Sequence, residues 1–305
     1  MSDPSVIILT GSFVAAVLVF AAGGLRRLGT KQAAPPYTRP MPVESDAAWP
    51  YAPPCEVMPP ELPVGRVAVV WYRPIDLLGA AMVVLLFSGL VISSVQMRQT
   101  AAPVLDAGTL LMNIGFQFIT AGLVTLLMIR RIRPDAWLGL RWIGWPWVFL
   151  LAPGAVLLMW LISGGLQVSG YLKWMESLGA ETTQDTVKLL RETKDPQVLG
   201  LMAFAAVVAA PLCEEIVFRG YLYPVLKKFS GIGPAALCSS LVFAAAHGNL
   251  TALLPLLIFG GLLVLLYEKT GSLWAPIAAH FCFNSATVAV QLAIRYYDIP
   301  LGASP

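Results

Sequence analysis

Residues 199–222 read LGLMAFAAVVAAPLCEEIVFRGYL, an apolar run into which two adjacent carboxylates, Glu214 and Glu215, and one guanidinium, Arg219, are set. The run matches the ~20 residues an α-helix needs to cross a ~30 Å hydrocarbon core. Lipid offers no water to open backbone groups, so a lone spanning segment of this kind must be helical. The rest of the chain has the same character. Hydrophobic residues fill 57% of the 305 positions and charged residues only 12%, and the mean hydropathy is +0.74. Soluble domains carry roughly 25% charged residues, about twice as many. The fold class read from this is all-α: a polytopic transmembrane bundle.

Working outward, further apolar runs lie at about Val6–Leu25, Ile75–Val95, Thr109–Ile129, Trp145–Leu166, Gly231–His247, Leu250–Tyr267 and Leu273–Ile294, which makes about eight membrane helices in all. The first run is preceded by Asp3 and followed by Arg26, Arg27 and Lys31. That is the reverse of a cleavable signal peptide, so residues 1–31 read as an uncleaved anchor with its N-terminus outside. Residues 32–70 hold Pro35, Pro36, Pro53, Pro54, Pro59 and Pro60. Proline lacks a backbone donor and favours extended chain, so this stretch reads as a cytosolic linker. Residues 71–298 form the multi-helix core, with the informative part at about 199–290. A cytosolic linker also places Arg130, Arg131, Arg133, Arg141, Lys227, Lys228 and Lys269 inside, as the positive-inside rule asks. The loop at 167–197 then falls outside with its four basic residues, a tolerable exception for a longer loop. The expected location is a cell inner or plasma membrane. A net charge of +3 gives no basic patch suited to nucleic acid. The four cysteines show no CxxC spacing and read as small buried hydrophobes. Nothing in the sequence fixes an oligomeric state.

The residues that violate the membrane rule carry the chemistry. An ionisable group at membrane depth costs at least ~2.5–3.5 kcal/mol on insertion scales, so such groups are paired or face a water-filled cavity. Glu215 and Arg219 are four apart and share a helix face, so they can pair. Glu214 is rotated by about 100° from Glu215 and faces something else. The chain has two histidines, His247 and His280, and both fall in apolar runs near this one. His280 and Asn284 are one turn apart and face the same way; an imidazole beside a carboxamide suits oxyanion stabilisation. One base, two imidazoles and an amide from three helices make a hydrolytic inventory.

Glu214-Glu215-xxx-Arg219, Phe243-xxx-His247 and His280-xxx-Asn284, in that order, resemble the three motifs of the CAAX-processing and bacteriocin-processing family of intramembrane proteases, which includes the type II CAAX prenyl endopeptidases. Phe218-Arg219-Gly220 and Gly271-Ser-Leu-Trp-Ala-Pro276 fit as well. The resemblance implies that Glu214, assisted by His247, activates water, that His280 and Asn284 stabilise the oxyanion, and that Glu215 and Arg219 support the base. It implies a membrane-associated protein or peptide as substrate, and a lipid bilayer as the setting. No cofactor is expected. Were zinc used, Glu214, His247 and His280 would be its ligands, since His₂Glu is a known catalytic set. The competing readings are a proton-coupled transporter or channel using the same Glu and His residues as a relay, and a non-catalytic scaffold. The charges are confined to the second half of the chain, which lacks the matched halves common in transporters.

Overall fold

In a computed structural model, the described residues are 4–29, 66–100, 106–140, 142, 144–178, 180, 190 and 193–297. The proline-rich linker, apart from its last few residues, lies outside them, as does part of the 167–197 loop. The described helices are α1 Pro4–Gly29, α2 Asp76–Thr100, α3 Ala107–Ile129, the short α4 Pro134–Trp137, α5 Val148–Val168, α6 Tyr171–Ser177, the composite α7 Pro196–Ser230, α8 Ile232–Ala246, α9 Leu250–Thr270 and α10 Trp274–Tyr296. Among the described residues there is no strand. The bundle expected from sequence is what forms.

Seven of these helices are long and apolar enough to cross a membrane, counting the turn at Trp145–Trp147 with α5. The eighth expected span, α8, is shorter. Its 15 residues rise only about 22 Å at 1.5 Å per residue, less than the ~30 Å core. It is instead an interior helix. Ala235, Cys238, Val242, Phe243, Ala244 and Ala245 are all buried, under α1, α2, α7 and α9. Its small side chains allow close approach. At Gly260 of α9 a Cβ would lie 2.9 Å from the Ser240 Cβ, so only glycine lets α9 sit this tightly on α8.

The outward faces explain the solvent. Leu78, Met82 and Leu85 of α2, Leu111, Met112 and Ile119 of α3, and Phe149, Leu157 and Leu161 of α5 are exposed. Soluble monomers rarely expose contiguous apolar patches beyond a few hundred Å², so these surfaces face lipid. α1 is more than a tether. Leu9, Phe13 and Ala16 are buried in the main hydrophobic core, and a Cβ at Gly23 would meet Pro234 at 2.6 Å.

The charged ends of the helices gather at one pole. Arg131 donates to both Asp76 carboxylate oxygens at 2.8 Å. Lys227 donates to Glu268 Oε1 at 2.6 Å and to the Val67 carbonyl at 2.8 Å. Tyr223 donates to the same Glu268 oxygen at 2.6 Å. Arg27 of α1 donates to the Lys228 carbonyl at 2.7 Å. The segment 66–75 before α2 is thereby stitched onto the ends of α7 and α9.

Candidate active site

α7 is not a uniform α-helix. Two stretches, Ala205–Ala209 and Glu215–Leu222, are wound as π-helix around the α-turn Ala210–Glu214. π-turns are rare and are frequently found at functional sites. Both lie beside prolines. Pro211 and Pro224 each lack an N–H and so remove one rung from the helical ladder. Pro211 does not end the helix, which widens just before it.

The charges sort into two pairs. Glu215 is fully buried, at 0% exposure. Its Oε1 accepts from Arg219 Nη1 at 2.9 Å and from His280 Nδ1 at 2.8 Å. The Glu215–Arg219 pairing expected from the four-residue spacing is therefore formed, and His280 joins it from α10. Arg219 Nη2 donates to the Gly260 carbonyl at 3.3 Å, and its guanidinium lies 4.2 Å from the centre of the Phe243 ring. Phe243 and Phe259 present edge-to-face contacts to His280 at 5.9 and 5.3 Å. This centre is sealed.

Glu214 points elsewhere, at His247. Its Oε2 has no hydrogen-bond partner among the described residues and stands 3.9 Å from His247 Nε2. The two side chains are 21% and 30% exposed, against 0% for Glu215, although Glu214 Oε2 itself is buried. His247 sits just past the end of α8, where the helix tightens and its N–H turns to Ala244 at 3.3 Å. The Phe243 carbonyl is left to the imidazole, whose Nδ1 lies 2.8 Å away. A carbonyl only accepts, so Nδ1 carries a proton, and in the neutral ring Nε2 is left with a lone pair on the side of Glu214. Gly248 follows at φ +61°, a left-handed turn that suits glycine. Asn249 then caps α9 by accepting from the Ala252 N–H at 2.8 Å.

Asn284 reaches the first π-turn. In that turn the Ala210 N–H goes back five residues to Ala205. The next donor in that register would be Pro211, which has none. The Ala206 carbonyl is therefore left over, and Asn284 Nδ2 donates to it at 2.7 Å. One amide hydrogen of Asn284 is thus committed to backbone, and the second is not. His280 and Asn284 share the face of α10 that meets α7, but their recorded partners differ.

Among the described residues, no three His, Cys, Asp or Glu side chains gather as a set that could hold a metal ion. His280 Nδ1 is taken by Glu215 Oε1 at 2.8 Å, while His247 Nε2 lies 3.9 Å from Glu214. Sequence reasoning missed the aromatic floor of Phe243 and Phe259 and the Gly260 carbonyl. Phe243 lay inside a motif, but nothing in its spacing marked it as the ring beneath Arg219.

The fold and the site define a class: a helical membrane protein with an Arg-braced Glu/His centre beside a partly exposed Glu/His pair. Within that class, the profile of the family described as Type II CAAX prenyl endopeptidase Rce1-like matches residues 196–286, the segment that holds all three motifs. The resemblance read from the motifs is borne out over this segment. A stretch of 102 residues is 33% identical to the putative membrane peptidase YdiL of Bacillus subtilis (strain 168), covering 33% of this chain and 42% of that protein. A stretch of 110 residues is 33% identical to CAAX prenyl protease 2 of Homo sapiens, covering 29% of this chain and 33% of that protein. The chain thus spans less than half the length of either curated relative. No solved structure matches it.

Proposed function

We propose that the protein is an intramembrane endopeptidase that hydrolyses peptide bonds of membrane-associated proteins or peptides, with Glu214 as the general base. The observation that carries the reading is the Glu214–His247 pair. A buried carboxylate oxygen without a partner and the imidazole Nε2 lie 3.9 Å apart, on side chains that are each partly exposed, within otherwise apolar helices. A water set between them donates one hydrogen to each acceptor, which turns its lone pair toward a substrate carbonyl. On attack, Glu214 takes the proton, the C–O bond forms, and the carbonyl becomes an oxyanion. The second amide hydrogen of Asn284 is the donor for that charge, with His280, held by Glu215 at 2.8 Å, one turn away on the same helix. Glu214 then returns the proton to the leaving nitrogen as the C–N bond breaks.

No step in this scheme needs a metal. Chelator treatment of purified active protein with elemental analysis tests that point; stoichiometric zinc whose removal abolishes cleavage contradicts it. The pole bearing Arg27, Arg131, Lys227 and Lys228 is the cytosolic one on the positive-inside rule, which sets the N-terminus outside. The substrate class follows the relatives' names, a membrane peptidase and a CAAX prenyl protease. The function is tested by comparing membrane-protein termini in cells carrying wild type, Glu214→Ala or His247→Ala. The expected result is the same uncleaved termini in both variants, with the proteins inserted normally. Termini unchanged in both would contradict the reading.

A further inference from the structure

Gly220 is the residue that follows Arg219, and it lies in the second π-turn. Its carbonyl would accept from the N–H four residues on in an α-helix, but that residue is Pro224. The backbone therefore cannot close this rung in α-register. Two side chains from outside α7 converge on it instead. Tyr72 Oη donates to the Gly220 carbonyl at 2.6 Å, and Trp137 Nε1 lies 2.9 Å from both that carbonyl and the Tyr72 hydroxyl. Both side chains are buried. A Cβ at Gly220 would lie 2.9 Å from Leu138 Cδ2 and 3.7 Å from Trp137, so the glycine admits the loop that brings Trp137 in.

Neither donor is anchored by chance. Tyr72 belongs to the segment 66–75, fastened by Lys227 on the Val67 carbonyl, Lys228 on the Tyr72 carbonyl and the Arg66 N–H on the Glu268 carbonyl at 3.2 Å. Trp137 ends α4, in the connection from α3, and the adjoining Leu138 carbonyl accepts from the Leu273 N–H at 2.9 Å. From Gly220 the path to the chemistry is short: Arg219, Glu215 Oε1 and His280 Nδ1, each in hydrogen-bond contact with the next.

We infer that Tyr72 and Trp137 are positioning residues, which hold α7 in its π-wound form at Gly220 and so set the Arg219–Glu215–His280 geometry. The inference rests on the endopeptidase reading for its kinetic consequence only. The segment that leads from the proline-rich stretch into the bundle is thereby part of the site's framework, although it lies outside the 196–286 match.

The test uses full-length protein labelled with ¹⁵N-histidine. The chain has two histidines, so two sets of imidazole signals arise, assigned with His247→Ala. Tyr72→Phe and Trp137→Phe each remove one donor and keep a ring in place; the double variant removes both. The expected result is a displaced or broadened His280 Nδ1 signal in each single variant, larger in the double, with the His247 signals unmoved. Cleavage should show kcat lowered at least ~10-fold in the double variant, toward the ~10²-fold effect of a 1 Å misplacement, with KM within about twofold. Should the double variant fail to fold, the single variants decide. Unchanged His280 signals in folded Tyr72→Phe and Trp137→Phe overturn the inference. If wild type cleaves nothing, the endopeptidase reading fails, while the imidazole signals still decide this one.

Discussion

Replacing Arg219 by Met exposes how the sealed centre is held. The methionine keeps the length and apolar stem of the side chain but removes the cation. Glu215 then loses its bond from Nη1 at 2.9 Å, and the Gly260 carbonyl its bond from Nη2 at 3.3 Å. The contact with Phe243 at 4.2 Å is lost too, a desolvated cation–π interaction of about 2 kcal/mol. Breaking one partner out of a buried ion pair costs about 3–5 kcal/mol, because the other charge remains buried without compensation. At about 1.4 kcal/mol per factor of ten, the folded-to-unfolded ratio should fall by roughly 2 to 3.5 powers of ten. His280 still contacts Glu215, which favours the lower end of that range. The assay is reversible unfolding in mixed micelles, read by tryptophan fluorescence. Removing both charges, as Glu215→Gln with Arg219→Met, should recover most of the loss, since replacing a whole buried pair is often near neutral. An Arg219→Met protein within about 0.5 kcal/mol of wild type, the ordinary range for a surface change, would refute the reasoning. So would a double variant as unstable as the two single losses added.

Three other outcomes follow from the same geometry. Gly260→Ala sets a methyl group 2.9 Å from the Ser240 Cβ and should destabilise by about 1–3 kcal/mol, the usual cost of overpacking; adding Ser240→Gly should restore part of it in the same unfolding assay. Asn284→Leu leaves the Ala206 carbonyl without its donor and should cost about 1–3 kcal/mol, while lowering cleavage by about 10²- to 10³-fold if its second hydrogen serves the oxyanion; normal turnover in a destabilised variant would separate the two roles. Burial holds the Tyr72 phenol well above its usual 10.0, so its contribution to stability is intact below pH 10 and is lost as pH rises further. Comparing wild type with Tyr72→Phe between pH 8 and 11 should show a steeper loss in the wild type, the buried tyrosines common to both proteins supplying the remainder.

Much of this was legible in the sequence, for a physical reason in each case. The apolar runs are long because lipid demands it, so the spans could be counted. The exception was α8, whose run had the composition of a span but not the length, because other helices cover most of it. Glu215 and Arg219 could be paired because a four-residue spacing fixes their relation on one helix. The spacing that separated Glu214 from Glu215 likewise gave the two carboxylates different neighbours. What lay between helices was hidden. His280 was assigned a face shared with Asn284, which holds, but nothing in α10 told which carboxylate it would meet. The grip of Tyr72 and Trp137 on Gly220 depends on chain separations of 148 and 83 residues. Even so, part of its signal was in plain view. A proline four residues after Gly220 marks a carbonyl that must find its donor elsewhere.

The central claim is that Glu214, paired with His247, does the work of the base. Purified protein in liposomes, given the membrane-protein substrates whose termini stay uncleaved in Glu214→Ala cells, tests it most directly when wild type is compared with Glu214→Gln. The substitution keeps the shape of the side chain and removes its ability to accept a proton. The account predicts cleavage by wild type, and loss of at least ~10²-fold in turnover, the lower end of what a general base supplies, in a variant that unfolds as wild type does. Cleavage by Glu214→Gln at the wild-type rate would contradict it.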